Sequence, residues 1–329
     1  MPITLPTRRL VLANLAALPL GGCLGTRGAG FTAQATEGLG EEPVLHVLTT
    51  RRLAGDGRKA PFLEGTRASQ LSYHRAHLAP PDRSTIGRIS GAIVNRDFAV
   101  KGLEPVSGPA ATTFAEAMRG QDTFLFVHGF NQTFETAAYD AAVLADGIRF
   151  RGQAGLFSWA SKGGLLDYGH DRESALLARD LFADALSAHL LDPFGGKLHI
   201  VAHSMGTLVT LETLRSYRDR HGDKGADRMG ALVLAAPDID RDVFVAGLNR
   251  LGAFRERITV ITATNDRALD LSRRLAGGDR VGALAADQLQ GLGIRVIDAT
   301  EFATGLVRHD VFVSDPDVRA AIKRAVERA

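Results

Sequence analysis

The stretch Ile200-Val201-Ala202-His203-Ser204-Met205-Gly206, continued by Leu208-Val209-Thr210-Leu211-Glu212-Thr213-Leu214-Arg215, decides how this chain is read. Ile200, Val201 and Ala202 are apolar and suit a buried strand, while the residues after Gly206 place apolar side chains at helical spacing. Ser204 therefore stands on a strand-to-helix turn, with Ala202 two residues before it and Gly206 two after. On so tight a turn the flanking residues must be tiny, because larger side chains would collide across it. This is the G-x-S-x-G elbow that pushes a serine hydroxyl out of the backbone, with alanine as the smallest substitute for the first glycine.

Outward from the elbow, strands and helices alternate. Strands are expected at Thr123–Val127, Gly155–Trp159, 198–202, Ala231–Ala236, Ile258–Ala263 and Ile294–Asp298. Helices are expected near 134–148, 170–190, 242–250, 266–275 and 315–327. In the 170–190 helix Ala175, Leu176, Ala178, Leu181, Phe182, Ala185 and Leu186 are read as one apolar face. Short, nearly all-apolar strands separated by helices imply parallel βαβ units with helices on both faces of the sheet. Val44 to Arg52 reads as a first strand. Residues 53–120, broken by five prolines, read as early strands plus irregular loops, with one candidate strand at Ser90–Val94.

A serine needs a base to take its proton and an acid to orient that base. On a sheet of this kind the chain order is Ser, acid, His. Of ten histidines only His221 and His309 follow Ser204. His221 sits in a charged helix end and is expected at the surface. His309 falls in a loop after the final strand, where the base belongs. Two aspartates leave strands at suitable places: Asp266, which also suits a helix N-cap, and Asp238. Asp298 also ends a strand but comes late in the chain. The oxyanion of a tetrahedral intermediate needs two backbone N–H donors. Met205, just after the nucleophile, and Phe130, in the loop His128-Gly129-Phe130-Asn131, are the candidates. His128 is read as holding that loop. Asn131, Trp159 and Tyr168 are candidate substrate contacts, Trp159 either lining an acyl pocket or packing. Residues 238–257 are a candidate lid.

Five segments together resemble the alpha/beta-hydrolase superfamily, and within it a bacterial esterase/lipase-like group first catalogued as a domain of unknown function. They are Phe126–Asn131, Phe157-Ser158-Trp159, Ala202–Gly206, Leu234–Asp240 and Asn265–Leu269. The resemblance implies an alpha/beta-hydrolase fold with a Ser204–Asp266–His309 triad and hydrolysis of acyl esters, without cofactor or metal. Arg308 replaces the glycine often found before that histidine. The alternative is a protein of the cell envelope that keeps the fold as a scaffold or binding module without turnover.

The N-terminus has its own signature. Thr7-Arg8-Arg9 precedes the apolar run Leu10–Leu20, which is too short to span a bilayer and reads as a signal peptide over residues 1–22. It ends at Leu20-Gly21-Gly22-Cys23, which resembles a bacterial lipobox, with the single cysteine of the chain at the acylated position. The Thr-Arg-Arg-Leu-Val-Leu run also resembles a twin-arginine export signal. Lipid on Cys23 would tether a soluble domain to a membrane through residues 23–42, and Leu24 resembles the pattern of proteins sorted to the outer membrane, facing the periplasm. Residues 43–329 are expected to form one domain, with the catalytic core over 121–329.

Composition is that of an ordinary soluble globular protein, at 45% hydrophobic and 23% charged over 329 residues. Removing Arg8 and Arg9 from the 39 basic residues leaves 37, equal to the 37 acidic ones. That balance offers nothing to nucleic acid; the partners expected are a small-molecule or lipid ester and, through the anchor, a membrane. His74 and His77 are spaced for one helix turn but have no further ligand nearby, so no metal site is expected. The cluster Asp238, Asp240, Asp242 is read as helix capping rather than a calcium loop.

Overall fold

In a computed structural model, residues 39, 42–79, 98–301, 313 and 315–329 are described. The chain divides into two units, Met1–Ala35 and Thr36–Ala329, and every described residue lies in the second. Cys23, His309, Arg308 and the candidate strand at Ser90–Val94 lie outside the described residues.

Nine strands form one sheet: β1 Val44–Leu53, β2 Leu63–Ala79, β3 Ala99–Pro105, β4 Thr123–Val127, β5 Gln153–Ser158, β6 Leu198–His203, β7 Met229–Ala235, β8 Ile258–Thr262 and β9 Arg295–Asp298. Their order across the sheet is β3-β2-β1-β5-β4-β6-β7-β8-β9. β2 pairs antiparallel with both neighbours, and the other pairings are parallel. The parallel strands β4, β6, β7 and β8 are buried along their whole length. Side chains alternate across a strand, so each feeds two cores. Leu125 and Val127 of β4 face one side with Ile200, Leu232 and Val260, under helices Tyr168–Leu190 and Met205–His221. Phe124 and Phe126 face the other with Val201, Val233 and Ile261, under helices Phe134–Gly147 and Pro316–Glu327. This is the expected α/β architecture, an alpha/beta-hydrolase fold.

Some expectations are corrected. Residues 53–120 are more regular than the prolines suggested, because the 17-residue β2 runs between Pro61 and Pro80 with no proline inside it. Its half-exposed pattern is that of an antiparallel strand near a sheet edge, so it lacks an apolar run. His74 and His77 lie on β2, not on a helix, and residues three apart on a strand point to opposite faces. His74 meets Ser72 Oγ at 3.1 Å and His77 meets Glu104 Oε2 at 3.3 Å. In helix Tyr168–Leu190 the buried stripe is Ala175, Ala178, Phe182, Ala185 and Leu186, while Leu176 is exposed one position round the helix. Phe182 stacks on Phe157 of β5 with centroids 4.0 Å apart, an arrangement worth about 1 kcal/mol beyond its buried area. His221 is half-buried, with Nε2 2.9 Å from Ser187 Oγ and its ring against Tyr217. The lid candidate 238–257 is part of the body, since Phe244, Leu248, Leu251 and Phe254 are all buried in the core.

Candidate active site

Because β4, β6, β7 and β8 run parallel, the chain leaves all four at the same edge of the sheet. Ligand sites of open α/β sheets gather at such an edge. Residues 128–131 leave β4, Ser204 leaves β6, Asp238 follows β7 and Asp266 follows β8. In-register pairing brings them level: Val127 lies beside Ala202, His203 beside Ala235, and Ala235 beside Ile261.

Ser204 has φ 51° and ψ −122°, and the helix Met205–His221 begins immediately after it. A non-glycine residue held there carries strain of order 1–3 kcal/mol. The surroundings hold it. Its N–H donates to Ala235 O at 2.9 Å, and its carbonyl accepts from Thr207 N at 3.0 Å, Thr207 Oγ1 at 2.6 Å and Asp238 N at 3.3 Å. Met205 is the first residue of the helix, so its N–H has no carbonyl of its own helix to meet and stands at the positive end of the helix dipole. The reason Gly206 must be small differs from the expected one. A Cβ there would stand 2.4 Å from both Val127 O and His128 O, so the conflict is with the end of β4 rather than across the turn itself.

The same packing sets the loop after β4 against the serine. A Cβ on Gly129 would lie 2.9 Å from Ser204 Cβ, so only a glycine lets that backbone pass so close. Phe130 follows, half-buried, and Asn131 is exposed with φ 58°, a conformation that asparagine tolerates better than most residues.

A buried frame holds this loop. Arg51, from β1, is 2% exposed. Its Nη2 donates to Gln132 O at 2.8 Å, its Nη1 to Ser161 O at 2.8 Å, and its Nε to Ser158 Oγ at 2.9 Å. Burial pulls its pKa down to about 10, with Asp171 acting to raise it, so it stays charged at neutral pH. Asp171 is fully buried and accepts from Ser161 Oγ at 2.5 Å and Lys162 N at 2.9 Å. Ser161 Oγ in turn accepts from Gln132 N at 3.1 Å. His128 lies between Gly129 O at 2.8 Å, Trp159 O at 3.1 Å and Arg51 Nη2 at 3.4 Å. Burial first, and the Arg51 charge second, hold its pKa down to about 3, so the ring is neutral. A neutral imidazole donates from one nitrogen only, and a guanidinium cannot accept. His128 Nδ1 faces Gly129 O and Nε2 faces Trp159 O, so the neutral ring donates to one of these two carbonyls, with Arg51 Nη2 standing beside Nε2.

Trp159 packs rather than lining a pocket. It has no exposed surface, stacks on His128 at 4.9 Å and donates its indole N–H to His128 O at 2.8 Å. Tyr168 is also committed to protein. Its hydroxyl donates to Asp238 Oδ2 at 3.1 Å and lies 2.9 Å from Ser272 Oγ, while its ring meets Phe130 edge-on at 5.3 Å. Burial, reinforced by the Asp238 charge, raises its pKa, which keeps the hydroxyl protonated as a donor.

The two candidate acids differ sharply. Asp266 is buried and caps helix Arg267–Ala276, with Oδ1 accepting from Ala268 N at 2.9 Å and Leu269 N at 3.2 Å. Both cap bonds fall on Oδ1. Both Asp238 oxygens are occupied: Ser272 Oγ donates to Oδ1, Arg280 Nε lies 3.3 Å from Oδ1, and Tyr168 holds Oδ2. Asp240 caps helix Arg241–Leu248, as the capping reading of the aspartate cluster had it. Asp298 turns back on its own chain, accepting from Thr300 N and Oγ1. Sequence reasoning missed Arg51, Ser272 and Arg280, since a single polar residue in a strand or helix carries no local signal of distant partners.

The chain belongs to the family described as "Alpha/beta hydrolase of unknown function (DUF900)", which matches residues 110–326. No curated protein matches the sequence. Solved structures that this chain matches include a Pyrobaculum calidifontis esterase, 13% identical, covering 86% of this chain and 84% of that one at a TM-score of 0.38. A thermostable esterase from Pseudomonas putida ECU1011 is 14% identical, with 87% and 82% covered and a TM-score of 0.38. A Trichoderma reesei cutinase in complex with a phosphonate inhibitor is 14% identical, with 62% and 75% covered and a TM-score of 0.34.

Proposed function

We propose that this protein is a serine hydrolase that cleaves acyl esters through a covalent acyl-enzyme. The observation that carries the proposal is the strained Ser204 at the tip of β6, with the Gly129–Phe130 backbone set against its side chain and the helix N-terminus behind it. In this reading His309 takes the proton from Ser204 Oγ as the oxygen bonds to the substrate carbonyl carbon. Asp266 orients His309. The N–H groups of Phe130 and Met205 hold the oxyanion, each worth roughly 3 kcal/mol of barrier. Collapse of the tetrahedral intermediate breaks the ester bond, and the alcohol leaves with the proton. Water then attacks the acyl-enzyme by the same route and releases the carboxylic acid. The chemistry asks for no cofactor. We further propose that Cys23 carries lipid and holds the enzyme at a bacterial envelope membrane, on the periplasmic face of the outer membrane.

The test is Ser204→Ala assayed on a short p-nitrophenyl ester, with a fluorophosphonate probe on both proteins. Wild type should turn over and label, and the variant should do neither while keeping its circular dichroism spectrum. Equal rates in the two proteins refute the serine mechanism. A wild type that neither labels nor turns over any ester in an acyl-chain series favours the scaffold reading. Intact-mass measurement of the exported protein tests Cys23, where an unprocessed N-terminus ends the anchor proposal.

A further inference from the structure

Asp238 is a buried carboxylate that the proposed triad does not use, and its contacts reach the serine elbow, Tyr168 beside the loop after β4, and the helix that Asp266 caps. β7 ends at Ala235, and Ala236 turns the chain sharply with φ 44°. Gly282 fills the hollow beside that turn, where a Cβ would stand 2.5 Å from Ala236 C. Gly282 N donates to Pro237 O at 2.9 Å and Val281 N donates to Ile239 O at 3.0 Å, which lays residues 280–282 along the turn. This brings the Arg280 guanidinium against Asp238, both almost fully buried.

From there three lines run outward. The backbone N–H of Asp238 donates to Ser204 O at 3.3 Å, tying the turn to the elbow. Oδ2 accepts from Tyr168, whose ring edge meets Phe130 of the oxyanion loop. Oδ1 accepts from Ser272, on the helix that Asp266 caps, and Tyr168 and Ser272 also meet each other.

We propose that Asp238 is a positioning residue, held by Arg280, that sets the spacing between the nucleophile, the oxyanion donor and the orienting acid. The proposal rests on the serine-hydrolase reading. Asp238 touches no reacting atom in it. Its role is geometric: the barrier depends on donors and nucleophile lying within a fraction of an ångström of their working positions, and a 1 Å misplacement costs on the order of 100-fold in rate.

The test uses three variants of the full chain, Tyr168→Phe, Ser272→Ala and Asp238→Asn, beside Ser204→Ala and Asp266→Asn. Competent sites are counted by titration with a p-nitrophenyl phosphonate, so kcat is expressed per working serine rather than per mole of protein. Tyr168→Phe and Ser272→Ala each cut one line and leave the ion pair whole, so they keep the test alive if Asp238→Asn fails to fold. The expected result is a fall in kcat per site of about 10-fold for each single cut and about 100-fold for Asp238→Asn, with KM moving less than about 3-fold. A purely structural role would lower melting temperature and the number of titratable sites but leave kcat per site within about 2-fold, and that result overturns the proposal. If Asp238→Asn is as inactive as Ser204→Ala while Asp266→Asn keeps most of its rate, Asp238 is the triad acid and the positioning role falls. Turnover surviving in Ser204→Ala is a separate failure, of the serine reading itself.

Discussion

Gly206→Ala puts a methyl group where two carbonyl oxygens already stand. The new Cβ would lie 2.4 Å from Val127 O and from His128 O, against an ordinary contact distance that begins near 3.4 Å. Relief needs a separation of about 1 Å, and neither obstacle is a side chain that can swing aside. Val127 is the last residue of β4, paired with Ala202 on one side and Phe157 on the other. The carbonyl of His128 already accepts the Trp159 indole. Either the helix start moves back, carrying Met205, or the loop moves, carrying Phe130. Forced overpacking of this kind costs about 1–3 kcal/mol, which at roughly 2–4 °C per kcal/mol for a domain near this size lowers Tm by several degrees. On the serine-hydrolase proposal, a shift of about 1 Å between Ser204 and the N–H groups of Met205 and Phe130 costs on the order of 100-fold in kcat. The assay is kcat on p-nitrophenyl butyrate per titrated site, with thermal melts by circular dichroism. Gly169→Ala serves as control, since a Cβ there meets nothing within 4 Å. That change should be neutral or stabilise by up to about 1 kcal/mol. A Gly206→Ala protein with wild-type kcat and Tm would refute the packing account of the elbow.

Three further outcomes are expected. Asp266→Asn keeps an oxygen for the helix cap but loses the charge, so kcat should fall by roughly 10⁴-fold with little change in Tm; a loss smaller than 10-fold removes Asp266 from the triad. Arg51→Met strands the carbonyls of Gln132 and Ser161 without their donor, and should cost about 3–5 kcal/mol in urea unfolding, while a change below 1 kcal/mol would show that the frame around the oxyanion loop is not held by this guanidinium. Burial lowers the pKa of His46 to about 4, His128 to about 3 and His189 to about 4, below an ordinary value of 6.5. The unfolded chain therefore binds more protons than the fold below pH 6.5. Stability is present in full above that pH and declines as pH falls towards 4, by about 1.4 kcal/mol per unit for each histidine at full slope. A urea midpoint that stays flat between pH 7 and pH 5 would show that these rings are not buried in neutral form.

Most of the sheet was legible in the sequence because its central strands are buried on both faces. Phe124-Leu125-Phe126-Val127 and Ile258–Thr262 leave no polar alternation to confuse, and their ends follow from glycines and capping residues. β2 was not legible, since a half-exposed strand such as Arg67-Ala68-Ser69-Gln70 looks like a loop until its partners are known. The serine and its turn were legible from the small residues that flank Ser204, although the limit at Gly206 is set by the end of β4.

What the sequence determined by itself is the local chemistry: a serine on a strand-to-helix turn, a glycine loop after an earlier strand, and aspartates where strands end. Their residue types recur at fixed local spacing, so a linear pattern carries them even where another strand sets the size limit, as at Gly129 and Gly206. What only the tertiary structure decided is how each group is employed. Asp238 and Asp266 both follow strands in the sequence, yet one is locked between Arg280, Tyr168 and Ser272 and the other caps a helix beside the site. Arg51 and His128, 77 residues apart, meet only because β1 and β4 flank the same strand, β5. Such contacts depend on which strands lie side by side, and that is settled by the packing of the whole sheet rather than by any segment of it.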